Sequence, residues 1–233
     1  MPTLIATNWD YLLWGNLTRG EPGGLLLTLM ISLAAGLSAS LLGLCGGVAL
    51  AMGGTMLRKI LSVAVAFLRA IPTLMLIFWA YFLLPILFGV DVPGVLTVIV
   101  ALGLISGAYL SQSVLAGIEG IKQGQWAAGL SLGLTRWQAL REVILPQALH
   151  MMLPSFVNQW ITLIKDSSLA YIVSVAEFTF VATQINNREQ IYPLEVFSCL
   201  GLGYFVLCCG VAYLGRRLER RWQYRSGAFK LGA

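Results

Sequence analysis

Residues 124–148, GQWAAGLSLGLTRWQALREVILPQA, form a long polar and amphipathic island in a chain otherwise built for a membrane. Trp126, Leu130, Leu134 and Trp137 recur at roughly helical spacing, while Ala127, Ala128, Gly129 and Gly133 leave backbone close to the surface. The pattern predicts a short helix, a glycine turn and a second short helix, in which Leu134, Trp137, Leu140 and Arg141 keep the same period. Pro146 is expected to block simple continuation of that second helix, because proline donates no N–H and its ring collides with the preceding turn. Such a segment suits a membrane surface, with one face turned to another protein.

The residues on either side set the class. Of 233 residues, 58% are hydrophobic and 11% charged, and the mean hydropathy is +0.81, which makes this an integral membrane protein. A helical crossing takes about 20 apolar residues, so the chain holds several spans and no large soluble domain. Five apolar runs stand out, at 24–52, 60–84, 95–117, 153–181 and 193–214. Arg69 and Pro72 interrupt the second, and Lys165 and Asp166 interrupt the fourth. Both of these spans are expected to be bent or broken, and the breaks are where function is expected. Residues 1–23 carry Asp10, Arg19 and Glu21 and lack the basic start and apolar core of a cleaved signal peptide, so the first apolar run is expected to direct insertion.

Basic residues near span ends favour the cytoplasm. Arg58 and Lys59 follow the first run, Lys122, Arg136 and Arg141 the third, and Arg216, Arg217, Arg220, Arg221, Arg225 and Lys230 the fifth. Of basic residues the two intervening loops hold only Arg188, and Asp91 is the sole charge in the first of them. The N-terminus is therefore expected outside, the C-terminus inside and the island in the cytoplasm. The net charge of +5 clusters at membrane edges, where topology and anionic lipid account for it, so nucleic acid is not an expected partner.

Several chemistries find no support. Cys45, Cys199, Cys208 and Cys209 fall inside apolar runs without ligand spacing and read as small buried hydrophobes. His150, the one histidine, ends the island and suits a surface or capping role; with no second histidine or carboxylate cluster, a metal site is not expected. Ser167 and Ser168 beside Lys165 resemble a nucleophile and base, but neighbouring positions on a helix do not face each other. Polar and charged groups within spans instead point to a transport pathway. Five spans are few for a self-contained alternating-access machine, and the sequence contains no GxxxxGK[ST] phosphate loop, so any nucleotide hydrolysis belongs to another chain. A stand-alone secondary carrier or channel subunit for a small polar solute is the alternative.

The stretch from Phe67 to Phe178 resembles the permease subunit of a binding-protein-dependent ABC importer of the polar amino acid type. That family's EAA motif, EAA, three residues, Gly, nine residues, Ile, one residue, Leu-Pro, falls on Ala127, Ala128, Gly129, Gly133, Val143, Leu145 and Pro146. Ala127 stands in place of the usual Glu, Gly129 of the last Ala, and Val143 of Ile. Residues 67–73, FLRAIPT, resemble the FRGTP element; residues 107–112, GAYLSQ, resemble AAYxSE; and residues 165–169, KDSSL, resemble KDTSL. Gln112 and Leu115 replace a Glu and an Arg common in that pattern, so both partners of an ion pair are lost together.

The resemblance implies an all-α integral membrane protein with about five transmembrane helices and the type I ABC importer permease fold. Residues 1–233 would form one ABC transmembrane domain, with residues 1–23 periplasmic, 118–152 a cytoplasmic coupling loop and 215–233 a basic cytoplasmic tail. The expected partners are an ABC ATPase dimer that carries ATP and Mg, a second permease subunit, identical or homologous, a periplasmic solute-binding protein and membrane lipid. No cofactor and no enzyme activity are expected on this chain, and the expected location is the bacterial inner membrane. The island would be the coupling helix, with Ala127, Ala128, Gly129 and Gly133 allowing close backbone approach and Trp126, Leu130, Leu134 and Trp137 as anchors; packing of either tryptophan on the chain's own spans remains open. Candidates for the substrate pathway are Arg69, Thr73, Tyr109, Gln112, Asn158, Lys165, Asp166, Ser167 and Ser168, since broken helices free backbone groups at mid-membrane depth. For several of these a structural role is open, Lys165 and Asp166 pairing with neighbouring chains and Asn158 and Gln159 bridging helices, and for Arg69 the structural role, holding carbonyls freed by Pro72, is the favoured reading. The segments lean toward an acidic amino acid, glutamate or aspartate, as cargo.

Overall fold

The computed structural model describes residues 3–17, 20–89, 91–189 and 193–230, with side chains described for 8–17, 20–89, 91–188 and 193–221. Arg19 and residues 231–233 of the basic tail lie outside them, as do the side chains of Arg225 and Lys230. Helices α1 (Thr3–Trp14), α2 (Gly24–Met52), α3 (Thr55–Ala70), α4 (Thr73–Phe78), α5 (Leu84–Phe88), α6 (Gly94–Glu119), α7 (Gln123–Ser131), α8 (Arg136–Ala139), α9 (Leu145–Asp166), α10 (Phe178–Glu189) and α11 (Pro193–Lys230) account for nearly all of it. Strand pairing among the described residues is limited to a two-residue hairpin, Gly15–Asn16 paired with Glu21–Pro22, and an isolated bridge between Gly24 and Glu177.

Among the described residues, three helices are long and apolar enough to cross a bilayer: α2, α6 and residues Pro193–Arg221 of α11. The pair Thr55–Ala70 and Thr73–Phe88 meets the same length and composition only when taken together, and it turns through 99° at its break. The turn falls where Ile71 and Pro72 interrupt the helix, as the sequence predicts. The fourth expected span is shifted. Instead of running over 153–181, α9 begins at Leu145 and ends at Asp166, and a 3-10 turn over Ser167–Val173 follows. Its 22 residues extend about 33 Å, enough for a bilayer core, but its polar residues keep it from passing as apolar.

The bundle is held by close backbone approach. A side chain at Gly43 would meet Leu110 Cβ at 2.4 Å, one at Gly47 would meet Val114 Cβ at 2.4 Å, and one at Gly107 would meet Leu42 Cβ at 2.9 Å. The contacts advance in step along both chains, so α2 and α6 run parallel. In an apolar solvent such small-residue contacts supply the van der Waals packing that holds helices together. Antiparallel to α6, α9 lies in the groove of this pair, where Trp160 Nε1 donates to Ser40 Oγ at 3.1 Å and Gln159 Nε2 donates to Ser106 Oγ at 3.2 Å. Gly215 of α11 in turn accommodates Val157 of α9.

Pro146 does not end the helix. Residues Leu140–Ile144 form a π-turn, Leu145 N–H donates five residues back to Leu140 O, and α8 runs through it into α9. The same device precedes Pro85, where Trp79–Leu83 is a π-turn and Leu84 N–H donates to Trp79 O. The widened turn makes room for the ring, so the helix absorbs a proline that would otherwise break it.

Glu177 ties α10 into the bundle. Wholly buried just before the first residue of that helix, its carboxylate accepts the N–H groups of Thr179 at 2.8 Å and Phe180 at 2.9 Å, and the Tyr204 hydroxyl of α11 at 3.0 Å. Thr28 Oγ1 of α2 lies 3.4 Å away and accepts Phe178 N–H at 3.0 Å. With four donors around it, this buried capping side chain has its hydrogen-bonding oxygens satisfied.

The cysteine expectation needs correction. Cys45 and Cys209 are exposed and Cys199 and Cys208 only half-buried, Cys208 Sγ lying 4.0 Å from Ile161 O of α9. His150 is exposed within α9, its Nδ1 2.6 Å from Pro146 O one turn back; of the surface or capping role expected of it, it has the surface one.

Candidate functional site: a coupling loop and a polar cleft

The island is a helix–turn–helix. Gly133 supplies the turn with φ of 83°, a left-handed conformation that costs other residues a steric penalty. After it, Thr135 and Gln138 form a reciprocal cap that starts α8: Thr135 N–H donates to Gln138 Oε1 at 2.8 Å and Gln138 N–H to Thr135 Oγ1 at 3.3 Å. The island is fixed to the spans by its apolar underside. Leu140, Ile144 and Ala148 pack with Val114, Ile118, Ile121 and Met152, and Trp126 and Val143 lie against this cluster. Gln147 Nε2 adds a contact to Gln125 Oε1 at 3.4 Å and donates to Val143 O at 2.7 Å.

The residues of the island thus divide. Ala127, Ala128, Leu130, Gly133 and Trp137 are exposed, with Trp137 at 56% and Leu130 at 44%. Trp126 packs inward and Leu134 is half-buried. Gly129, read as a site of close approach to a partner, is buried instead: a side chain there would meet Ala139 Cβ at 3.3 Å, so its smallness serves the joint between α7 and α8. Likewise Gly133 has no atom near its missing side chain, and backbone conformation is the reason for glycine there. Sequence reasoning missed Leu132, which is 83% exposed at the tip of the turn; its apolar character in a polar loop was the available signal. Ala127 leaves the exposed face without its expected carboxylate, and Glu142 sits 3.5 Å from Arg141 Nε.

A second feature lies between the break of α3, α6 and α9. A cleft of about 480 Å³ is lined by Arg69, Tyr109, Gln112, Ser113, Ser155 and Gln159, with Ala116, Gly117, Met151 and Met152 completing its wall. Tyr109, Gln112, Ser113 and Ala116 share a face of α6 at helical spacing, as do Met151, Ser155 and Gln159 on α9. That period was the signal for Ser113, Ser155 and Met151, which sequence reasoning did not single out. Arg69 does not hold carbonyls freed by Pro72. Its guanidinium lies over the Tyr109 ring, 5.0 Å from the centroid, and the Tyr109 hydroxyl donates to the Arg69 carbonyl at 3.3 Å, so the tyrosine both caps the end of α3 and holds the arginine. Arg69 is the only charged residue lining the cleft among those described.

The other pathway candidates do not line this cleft. Asn158 and Lys165 are exposed on α9, and Thr73 is half-buried at the start of α4. Ser167 is wholly buried and donates to Ile164 O at 2.7 Å, while Ser168 donates to Lys165 O at 2.7 Å. Both hydroxyls are therefore spent on their own helix, and a serine–lysine catalytic pair has no geometry here. Asp166 is half-buried beside Ser167. An exposed face carrying Asn158, Thr162 and Lys165 on a spanning helix has to meet protein or water rather than lipid tails.

Comparisons with known proteins agree with this architecture. Residues 43–224 match the model of the family described as binding-protein-dependent transport system inner membrane component. The glutamine transport system permease protein of Escherichia coli (strain K12) is 34% identical over 199 residues, 85% of this chain and 90% of that protein. The glutamate/aspartate import permease protein of Escherichia coli O157:H7 is 35% identical over 161 residues, 66% of this chain and 71% of that protein. The L-cystine transport system permease protein of Bacillus subtilis (strain 168) is 32% identical, with 85% of each chain covered. Among solved structures, an amino acid ABC transporter with histidines aligns with a TM-score of 0.78 at 29% identity, over 85% of this chain and 92% of that one. The inward-facing MetNI methionine ABC transporter shares the fold, with a TM-score of 0.72 at 24% identity over 84% and 92% of the two chains. The chain has the type I ABC importer permease fold and belongs to the binding-protein-dependent transport system inner membrane component family.

Proposed function

We propose that this chain is the permease subunit of an ABC importer that passes a polar L-amino acid, first an acidic one such as glutamate or aspartate, into the cytoplasm. The ATP is hydrolysed with Mg on a partner ATPase dimer, a second permease subunit completes the pathway, and a periplasmic solute-binding protein delivers the cargo. The N-terminus and residues 1–23 lie outside, residues 118–152 and the tail 215–233 inside, in a bacterial inner membrane. The exposed face of the coupling loop, Ala127, Ala128, Leu130, Gly133 and Trp137, meets the ATPase, and closure of the nucleotide sites moves the spans as rigid bodies.

One observation carries the cargo reading. The cleft's size, about 480 Å³, lies within the ~300–1,000 Å³ usual for small-molecule sites, and its charged lining is the single guanidinium of Arg69 amid neutral Gln112, Gln159, Ser113 and Ser155. A carboxylate finds a partner there and a cationic side chain does not. Lys165 and Asn158, on the exposed polar face of α9, continue the pathway, with Asp166, Thr73 and Ser168 beside it. The two glutamine side chains favour one second reading, a carboxamide cargo, and relatives named for glutamine and for glutamate/aspartate match at similar identity.

The test is uptake of labelled glutamate, aspartate and glutamine into membrane vesicles that hold the chain with its partner subunits, with and without ATP. Arg69→Gln is expected to reduce glutamate uptake ~10- to 100-fold, the worth of a charge-assisted hydrogen bond, with glutamine uptake less affected. Equal loss for all three would refute an acidic cargo, and uptake by the chain alone without ATP would establish the carrier or channel instead.

A further inference from the structure

One face of α11 is apolar through the membrane and then abruptly basic. At about 100° per residue, Leu202, Val206 and Tyr213 fall on the same side of the helix as Arg216, Arg217, Arg220 and Arg221. The three apolar residues are 64%, 65% and 59% exposed, and all four arginines are exposed. The opposite side carries the contacts that hold α11 to the bundle: Tyr204 on Glu177, Cys208 near Ile161 and Gly215 against Val157. Only 6% of the apolar window of α11 is buried within the chain.

The four guanidiniums pack within two turns and, among the described residues, none lies within ion-pair distance of a carboxylate. Glu219, the acidic residue in this stretch, falls outside the arginine sector. Like charges at i and i+4, as in Arg216/Arg220 and Arg217/Arg221, repel each other along a helix, so an external anion relieves a cost already present. Arginine rather than lysine at all four places suits phosphate, which the planar guanidinium grips with paired N–H groups.

The occupant is set by the profile along the axis. From Leu202 to Tyr213 the helix rises about 16 Å, close to the hydrocarbon depth of one leaflet, half of ~30 Å. Apolar surface for that depth, followed directly by clustered guanidiniums, is the complement of a lipid from tail to phosphate. A soluble anion would have no use for the apolar lane. We propose that this face of α11 binds an anionic phospholipid, with its acyl chains along Leu202, Val206 and Tyr213 and its phosphate held by Arg216, Arg217, Arg220 and Arg221.

The full chain in detergent is titrated with dioleoylphosphatidylglycerol, dioleoylphosphatidylcholine or inorganic phosphate, and bound molecules are counted by native mass spectrometry. Phosphatidylglycerol is expected to bind the parent chain well ahead of phosphatidylcholine. Each basic residue at an anionic surface is worth about fivefold, so R216Q/R217Q/R220Q/R221Q should weaken phosphatidylglycerol several-hundredfold and leave phosphatidylcholine unchanged. Should the quadruple variant lose helix content, R217Q/R220Q, expected to lose about 25-fold, takes its place. Equal binding of the two lipids by the parent, or undiminished phosphatidylglycerol binding by the variant, overturns the site. Phosphate that displaces the lipid at equal concentration would make it a soluble-anion site. A parent chain that doubles in mass through this face, with lipid binding unaffected by the substitutions, would make it a contact between copies.

Discussion

Substitutions at Gly133 separate two reasons for a glycine in the turn of the island, residues 124–148. If a partner's backbone must come close, any side chain harms, and a larger one harms more. The structure assigns a different cause: φ is 83° and nothing lies within 4 Å of where a side chain would begin. The cost is then conformational, ~1–2 kcal/mol for an ordinary L-residue held in the left-handed region, and lower for asparagine, whose short polar side chain tolerates it. At this magnitude the native turn loses about 5- to 30-fold in population against its alternatives. Gly133→Asn should therefore keep most ATP-driven uptake, Gly133→Ala should lose several-fold, and Gly133→Val, stiffened by its β-branch, should lose most. ATP hydrolysis and uptake measured together in vesicles give the ratio that reports coupling. Asparagine worse than alanine would refute the conformational cause and restore close approach, since asparagine is the bulkier of the two.

Trp126 and Trp137 should part company under alanine substitution. Trp137→Ala is expected to leave the thermal midpoint of the chain nearly unchanged and to weaken ATPase association by about 2 kcal/mol, as exposed aromatic anchors do. Trp126→Ala is expected to lower stability by about 2 kcal/mol, short of the full ~3–5 kcal/mol of a wholly buried aromatic, because it is only partly covered. Glu177→Ala strands the N–H groups of Thr179 and Phe180, at ~1–3 kcal/mol for each unsatisfied donor, and leaves the Tyr204 hydroxyl only Thr179 Oγ1, whereas Glu177→Gln keeps one acceptor oxygen and should lose less. Thermal unfolding in detergent orders the three chains, and an alanine variant as stable as the parent would remove Glu177 from the framework.

Much of the architecture was legible because membrane burial is written into long stretches of sequence. Apolar runs marked α2, α6 and α11, Pro72 marked the sharp bend, and the spacing around Gly133 marked the helix–turn–helix. The fourth span was misplaced because α9 is polar along one face, so its apolar run reads as starting too late and running on through the 3-10 turn. Pro146 misled for a local reason: a π-turn, which depends on how Leu140 and Ile144 are packed, absorbs the ring. Arg69, Tyr109 and Gln112 were named from the sequence and come together in the cleft, but Ser155 and Gln159 join them only through the antiparallel packing of α9 on α6.

The sequence by itself determined that the chain lies in a membrane, where most of its apolar spans fall, where Pro72 bends the chain, and which segment is polar enough to meet a partner, because these depend on composition and on period along one chain. Only the tertiary structure decided which way each side chain faces. Trp126 turns inward and Trp137 outward, Gly129 fills a joint and Gly133 makes a turn, and Ser167 is closed off while Gln159 reaches the cleft. Facing depends on which helix lies alongside, and residues distant in sequence set that by packing.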